Sequence, residues 1–164
     1  MPTISLETPI NAPIEVCFDL SRSIDLHIIS TKRTGERAIA GVTSGLIGLG
    51  ESVTWRAKHF GVWQHLASKI TDYERPYYFA DEMVEGAFKR FKHEHHFQEV
   101  GHGITLMQDV FDYTSPLGIF GLVVDKLFLK RYMTGLLSER NNVIKHYAES
   151  GKWESLLNTN RNWH

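Results

Sequence analysis

Consecutive segments of alternating apolar and polar residues fill the middle of the chain, and they constrain its fold more than any other feature. The clearest segment, residues 90–100, places on one side Phe91, His93, His95, Phe97 and Glu99. Because successive side chains of a β-strand point to opposite faces, this pattern predicts a strand with one apolar face. Similar patterns predict a run of antiparallel strands over residues 1–7, 35–39, 51–60, 62–73, 77–84, 90–100 and 104–113.

Two short helices are predicted between the first two strands. Asn11 is a residue type that caps helices, and Pro13 suits a first helical turn, so we expect a helix over about 12–20. A second short helix is predicted over 23–29. Both helices therefore precede the main run of strands.

One long helix is predicted at the C-terminal side, over about 117–149, with Gly151 as its stop. Apolar residues surround the first half of this segment almost completely. Its second half is amphipathic, and the apolar stripe consists of Leu129, Met133, Leu136, Leu137, Ile144 and Tyr147.

Strands and helices that are segregated along the chain are typical of an α+β domain. We predict a curved antiparallel β-sheet that grips the long C-terminal helix, with the two short helices following the first strand. A helix cannot fill a strongly curved sheet, so an internal cavity is expected. Residues 1–149 would form a single ligand-binding domain, and residues 150–164 a polar C-terminal tail anchored by Trp153 and Trp163.

Composition excludes several classes of protein. The chain has 164 residues, of which 42% are hydrophobic and 23% charged, as in ordinary globular proteins. A net charge of -1 disfavours nucleic-acid binding. The single cysteine, Cys17, excludes an intramolecular disulfide and a cysteine zinc cluster. We expect no membrane span, because no apolar stretch reaches ~20 residues, and residues 1–7 do not resemble a signal peptide. The expectation is a soluble, cytoplasmic protein.

Three local stretches, in this order of elements, resemble the START-like superfamily, also called SRPBCC, helix-grip or polyketide cyclase/dehydrase-like proteins. The first is Ile10–Phe18, with Ala-Pro and a following aromatic residue. The second is Tyr78–Gly86 followed by Phe91–Phe97, which looks like a Phe-x-Asp…Gly…His-x-His-x-Phe hairpin. The third leads from Ser115–Gly118 into Val124–Phe128.

This resemblance covers roughly residues 2–149 and implies a helix-grip fold with a pocket. The superfamily includes lipid carriers, hormone receptors, cyclases and subunits of oxygenases. Oxygenases with metal clusters need a Cys/His cluster that a chain with one cysteine lacks. The leading hypothesis is binding of a small hydrophobic molecule, lipid-like, isoprenoid-like or polyketide-like, in an internal cavity.

His93 and His95 are the sharpest candidates for chemistry, because i, i+2 spacing on a strand directs both rings to one face. Asp81 and Asp109 lie on apolar faces of neighbouring strands and are their expected partners. The four residues would fix the sheet interior as buried polar groups or orient the polar end of a ligand, or a His–Asp pair would serve as general base. If one or both strand faces are reversed, the carboxylates are solvated instead. A zinc site would need a third ligand, for which the candidates are Asp81, Asp109, His59 and His65. We expect no metal and no cofactor.

Aromatic and methionine side chains on the same faces are the predicted pocket walls. With the polar candidates, the predicted ligand-binding set is Trp55, Phe79, Asp81, Met83, His93, His95, Phe97, Met107, Asp109, Phe111, Phe120 and Met133. Two alternatives remain open. One is a cyclase, dehydratase or hydrolase that uses a His–Asp pair in the cavity. The other is a regulatory interaction protein, or a homodimer, that uses the apolar segment 119–128.

A glycine-rich passage over residues 41–50 contains Leu46, Ile47 and Leu49, for which the sequence offers no obvious partners. Glycines give such a passage backbone freedom. We expect it to close over the apolar first half of the long helix, residues 120–124, as a lid at the mouth of the pocket.

Overall fold

A single antiparallel sheet of seven strands dominates the structure, a computed structural model that describes residues 2–115 and 126–159. The strands lie in the order β1-β7-β6-β5-β4-β3-β2. Their bounds are β1 Thr3–Ile10, β2 Arg37–Gly41, β3 Ser52–His59, β4 Val62–Glu74, β5 Tyr78–Glu85, β6 Arg90–Gly101 and β7 Ile104–Thr114. The helices are α1 Ile14–Ser21, α2 Ile24–Ser30, α3 Lys126–Ser150 and α4 Trp153–Thr159, with a 3-10 turn at Lys32–Thr34.

The sheet is curved, and the short helices and the long α3 lie against its concave face. Alternation along the strands decides which side chains face inward. In β6 and β7 nearly every second residue is buried, from Phe91 to Phe97 and from Thr105 to Tyr113. This is the predicted α+β, helix-grip architecture, and it is confirmed.

The short helices begin differently from each other. Ser23 caps α2, because its hydroxyl accepts a hydrogen bond from the backbone N–H of Leu26. The predicted cap of α1 is wrong. Pro13 occupies the cap position and no side chain caps this helix. The backbone N–H of Asn11 instead donates to the carboxylate of Glu149 at the end of α3, which ties the start of α1 to the long helix.

The long helix ends where the sequence predicts. Gly151 follows its last residue with a φ of +76°, a backbone conformation that glycine adopts without strain. The predicted beginning of this helix, residues 117–125, lies outside the described residues. The described part, α3, packs on α1, α2 and β1.

The main core lies between α1 and the sheet. Phe18 is fully buried at its centre. Its ring makes edge-on contacts with Tyr73, Phe79 and Phe97, with ring centroids 5.3–5.4 Å apart. Such aromatic contacts add to the free energy of apolar burial. This end of the concave face is therefore filled by α1.

Residues after Gly151 form α4, which the sequence pattern did not indicate. Leu157 is buried in the main core, and Trp153 and Leu156 pack against the same core. Trp153 thus lies where an anchor of the tail was expected, whereas Trp163 lies outside the described residues. Among the helices within the described ranges, none is long and apolar enough to span a bilayer.

The glycine-rich passage packs against the short helices. Ile47 is buried in the main core, and its backbone N–H donates to the carbonyl of Arg22. Leu46 forms an isolated bridge with Ser23, whereas Leu49 is exposed. None of these leucine and isoleucine side chains lines the large cavity described below. The segment 120–124, the other half of the expected lid contact, lies outside the described residues.

We predict that Phe18→Ala lowers the free energy of unfolding by about 3–5 kcal/mol, because it removes the ring around which the core packs. Urea denaturation followed by circular dichroism measures this change. Val100→Ala, at an exposed position of β6, is the control and should cost less than about 0.5 kcal/mol. A loss for Phe18→Ala no larger than that of the control would contradict this account of the core.

Candidate functional site

Strand β6 directs His93 and His95 into the concave face, as the alternation predicts. Both side chains are buried, together with Phe91 and Phe97 on the same side. The two imidazole rings are close neighbours, with centroids 3.9 Å apart. The predicted orientation of this strand is therefore what the structure shows.

The strand register brings the two carboxylates to these rings. Asp81 of β5 lies opposite His93, and Asp109 of β7 lies opposite His95. The Nε2 atom of His93 is 3.1 Å from Oδ1 of Asp109, within hydrogen-bond distance. His95 lies between the carboxylates. Its Nε2 is 3.4 Å from Oδ1 of Asp81, and its Nδ1 makes a 2.8 Å polar contact with Oδ1 of Asp109 that is not aligned as a hydrogen bond.

Helix α3 contributes two further members, Arg140 and Asn141, which the sequence analysis missed. Nδ2 of Asn141 donates to Oδ2 of Asp109 at 2.6 Å. Arg140 is 3.5 Å from Oδ1 of Asp109 through Nη1, and its Nη2 donates to the carbonyl of Ser21 at 2.8 Å. A signal for Arg140 did exist. It stands three residues after Leu137 and four before Ile144, so a charged residue interrupts the apolar stripe.

Burial and neighbouring charges set the protonation of this network. Burial, together with the nearby His95, lowers the pKa of His93 to about 4, against the opposing effect of Asp109. Burial alone would raise the pKa of Asp109, but contacts from the two histidines and Arg140 hold it well below its usual range. The pKa of Asp81 is lowered in the same way, chiefly through His95. Near neutral pH, His93 is therefore neutral and both carboxylates are charged.

A cavity of about 720 Å³ adjoins this network, between the sheet and α3. Three members of the network line the cavity, namely His93, Asp81 and Arg140. His95 and Asp109 lie behind them, at 2% and 1% side-chain exposure. The network therefore presents three polar side chains to the cavity and keeps the other groups in the protein interior.

The predicted pocket walls divide into two groups. Trp55, Phe111 and Met133 line the cavity together with Asp81 and His93. Phe79, Phe97 and Met107 lie in the main core instead, and Met83 packs against a second apolar cluster around Phe91. Phe120 lies outside the described residues. As ligand contacts, all of these residues stay predictions.

Packing explains why Phe79 and its neighbours do not line the cavity. Phe79 stacks on His95, with ring centroids 4.2 Å apart, and contacts Phe18 from the other side. The hydroxyl of Ser21 lies 3.4 Å from the sulfur atom of Met107. Helix α1 therefore covers the part of the sheet where these residues lie, and the cavity begins beyond the histidines.

Three members of the network have the spacing of metal ligands. One ligand atom each of Asp81, His93 and His95 lies within 4.8 Å of the others, a distance that one ion can bridge with modest adjustment. In the described structure these atoms already interact with each other or with Asp109. The side chains therefore have polar partners without an ion. The expectation that no metal or cofactor is bound stays a prediction.

Four more polar side chains line the cavity near β3: His27, Glu36, His59 and Tyr132. The sequence analysis singled out His59 as one candidate zinc ligand, but it lies in this separate group. His65 also lines the cavity without joining either group of side chains. The four residues come from α2, the segment before β2, the end of β3 and α3, so no local motif connects them.

Several solved structures share this architecture and show which fold the chain has. A START superfamily protein from Mycobacterium smegmatis has a TM-score of 0.68 and 13% identity, with 94% of this chain and 98% of that chain covered. The major latex-like protein 151 from Panax ginseng has a TM-score of 0.64 and 18% identity, covering 90% and 97%. A protein from Thermus thermophilus has a TM-score of 0.66 and 20% identity, covering 87% and 97%.

No protein-family model and no curated protein matches the sequence. The chain has the START-like, helix-grip fold, as the sequence resemblance implied. Identities of 13–20% to these structures show a shared fold. Function has to be argued from the side chains of this chain.

We predict that Asp109→Asn costs about 3–5 kcal/mol of unfolding free energy, because it leaves Arg140 in the interior without a counter-charge. Asp112→Asn is a matched control on the same strand. Asp112 faces the other side and pairs with Arg90 at partial exposure, so its loss should cost less than about 1 kcal/mol. Urea denaturation at neutral pH compares the two variants. Equal losses would show that the buried network does not support the fold.

Stability should fall as the pH is lowered from about 7 to about 4. The pKa of His93 is about 4 in the folded chain against 6.5 ordinarily, so over this range the unfolded chain binds a proton that the folded chain does not. At about 1.4 kcal/mol per pH unit, the loss amounts to roughly 3 kcal/mol. The lowered pKa of Asp109 extends the loss below pH 4.

The measurement is the unfolding free energy at a series of pH values. His93→Gln retains a donor toward Asp109 without the titrating ring, so its curve should be flatter between pH 7 and 4. His102→Gln, in the exposed turn between β6 and β7, is the control and should follow the unsubstituted protein. A His93→Gln curve as steep as the control would contradict this assignment.

Proposed function

We propose that this protein binds a small hydrophobic molecule, lipid-like, isoprenoid-like or polyketide-like, in the cavity between the sheet and α3. The observation that carries the proposal is the cavity itself. Its volume of about 720 Å³ lies within the usual ~300–1,000 Å³ of small-molecule sites. Most of its wall area is apolar, and polar side chains such as His93 and Asp81 interrupt the apolar surface. The family resemblance in the sequence also implies a hydrophobic ligand.

The network orients the polar end of this ligand. His93 is neutral and its Nε2 faces Asp109, so its Nδ1 is left as an acceptor. Asp81 lines the cavity with a charged carboxylate, a second acceptor. Arg140 donates hydrogen bonds to Asp109, Asn141 and Ser21. The cavity side of the network therefore favours a ligand group that donates a hydrogen bond, such as a hydroxyl.

Catalysis by a His–Asp pair is supported less well. The pair exists, because His93 lies within hydrogen-bond distance of Asp109 and lines the cavity. A general base works best when its pKa is near the working pH, whereas burial lowers the pKa of His93 to about 4. We therefore assign His93 to orientation of the ligand and not to proton abstraction.

An interaction surface is the remaining alternative from the sequence. Most of the apolar segment 119–128 lies outside the described residues. Leu127 and Phe128, at the start of α3, are exposed. A homodimer through this segment stays a prediction, and light scattering after size-exclusion chromatography determines the oligomeric state.

The ligand hypothesis is tested on protein purified from cells. Native mass spectrometry should show an added small molecule that is lost on organic extraction. The extracted protein should then gain thermal stability with members of a lipid and aromatic library, since a ligand that binds the folded state stabilises it. Failure of both measurements would reject the proposed function.

A cavity-filling variant locates the binding site. Ala57 is buried on β3 and lines the cavity, whereas the next residue, Lys58, is exposed on the opposite face. Ala57→Phe should weaken binding of the library hit at least about tenfold, equivalent to ~1.4 kcal/mol, because the ring occupies ligand space. Lys58→Phe adds the same ring outside the cavity and should change affinity less than about twofold. Equal effects would place the ligand elsewhere.

A further inference from the structure

The cavity has a second polar group of side chains, which the proposed orientation of the ligand does not use. Glu36 lies between the 3-10 turn and β2, with its carboxylate 3.3 Å from Nε2 of His27 on α2. Nδ1 of His59 lies 2.9 Å from the hydroxyl of Tyr132 on α3. We call these four residues the distal cluster, because they lie away from the network around His93.

The distance between the distal cluster and the network follows from the rise along α3 and from the spacing of the strands. Tyr132 and Arg140 are eight residues apart on α3, a rise of about 12 Å. Strands β4 and β5 lie between β3, which carries His59, and β6, which carries His93. Three strand spacings correspond to about 14 Å. Both groups line the same cavity, so one elongated molecule can contact both.

The distal cluster offers one charged hydrogen-bond acceptor, the carboxylate of Glu36. Burial alone would raise the pKa of Glu36, but His27 and His59 hold it below its usual value, so the carboxylate is charged. Burial lowers the pKa of His59 and raises that of Tyr132. Near neutral pH, the His59–Tyr132 pair is therefore neutral. A negative carboxylate beside a neutral pair attracts a donor and repels an anion.

The surroundings of this cluster suit a ligand more than water. His27 packs against Trp55, with ring centroids 4.2 Å apart, and Phe60 packs on Tyr132 at 4.6 Å. The Nε2 atom of His27 is buried and makes no aligned hydrogen bond to the described residues, despite its 3.3 Å contact with Glu36. A buried polar atom without such a bond is costly, and a ligand group at this position would relieve that cost.

We propose that the distal cluster is a subsite for a hydroxyl group at the far end of an elongated apolar ligand. The inference rests on the proposed function and makes its ligand more specific. Glu36 at one end and Asp81 at the other are both charged acceptors that line the cavity. The preferred molecule therefore carries a hydrogen-bond donor at each end, with an apolar body between, and a terminal carboxylate is disfavoured at both ends.

Displacement of the neutral dye Nile red from the extracted protein tests this subsite. The competitors are an n-alkanol, the α,ω-alkanediol and the n-alkanoic acid of the same carbon number. One added hydrogen bond to a charged acceptor is expected to make the diol bind about fivefold more tightly than the alkanol. The acid should bind most weakly of the three. The alkanol serves as the reference for apolar burial.

Glu36→Gln locates the effect, because it keeps the shape of the side chain and removes its charge. The advantage of the diol should fall to less than about twofold, since charge-assisted bonds are roughly twice as strong as neutral ones. The penalty on the acid should fall as well. Glu99→Gln, on the exposed end of β6, is the matched control and should leave the order unchanged. Tyr132→Phe, which removes a hydroxyl from the same cluster, replaces Glu36→Gln if that variant does not fold.

The outcomes separate this inference from the proposed function. Equal binding of alkanol and diol, with no change in Glu36→Gln, would overturn the distal subsite and leave the hydrophobic cavity intact. An acid that binds more tightly than the diol would overturn it too. If Nile red and all three competitors fail to bind, the proposed function fails as well. The same loss in Glu99→Gln as in Glu36→Gln would also reject this location.

Discussion

The carboxylate of Asp109 is the charge on which the arrangement of this molecule depends. It is almost completely buried, and a buried charge is stable only when other groups satisfy it. Those groups come from β6 and from α3, and Arg140 links them further to the end of α1 through the carbonyl of Ser21. The sheet, the long helix and the first helix therefore meet at one anion. Sliding α3 along the sheet would break these contacts together.

The same network divides the concave face into two regions. On one side, α1 fills the space above the sheet with Phe18 and its aromatic neighbours. On the other side, no helix of the described ranges fills the space between β3 and α3, and the cavity remains. His93 and Asp81 lie at this boundary. A ligand in the cavity therefore meets polar groups at the edge of a rigid core, where their positions are fixed by packing.

Alternation in the sequence was sufficient to predict the faces of the strands and the two histidines on the concave side. It could not separate core from cavity wall. Phe79 and Phe97 share a face with the residues that line the cavity, and they differ only in lying under α1. That difference is set by where a helix is placed on the sheet, which the period of a strand does not encode. The family resemblance supplied the architecture, but not this placement.

Sequence analysis missed the residues that come together only in the tertiary structure. Arg140 and Asn141 gain their role from the position of α3 over β7, although Arg140 left a trace as a charge inside an apolar stripe. The distal cluster left no trace, because its four members are spread between positions 27 and 132. Only His59 was considered, as a zinc ligand, from its residue type. Contacts between distant elements depend on register and on helix placement together, and neither can be read from one segment.

Binding and proton transfer make opposite demands on this network. Asp109 holds α3 on the sheet through Asn141 and Arg140, while burial and the neighbouring His95 disfavour a proton on His93. A catalytic base has to accept such a proton in every cycle. A ligand hydroxyl that donates a hydrogen bond to Nδ1 of His93 requires no proton transfer, and Asp109 keeps its partners. In the proposed function the network recognises a ligand while it continues to support the fold, which is the physical reason for preferring binding to catalysis.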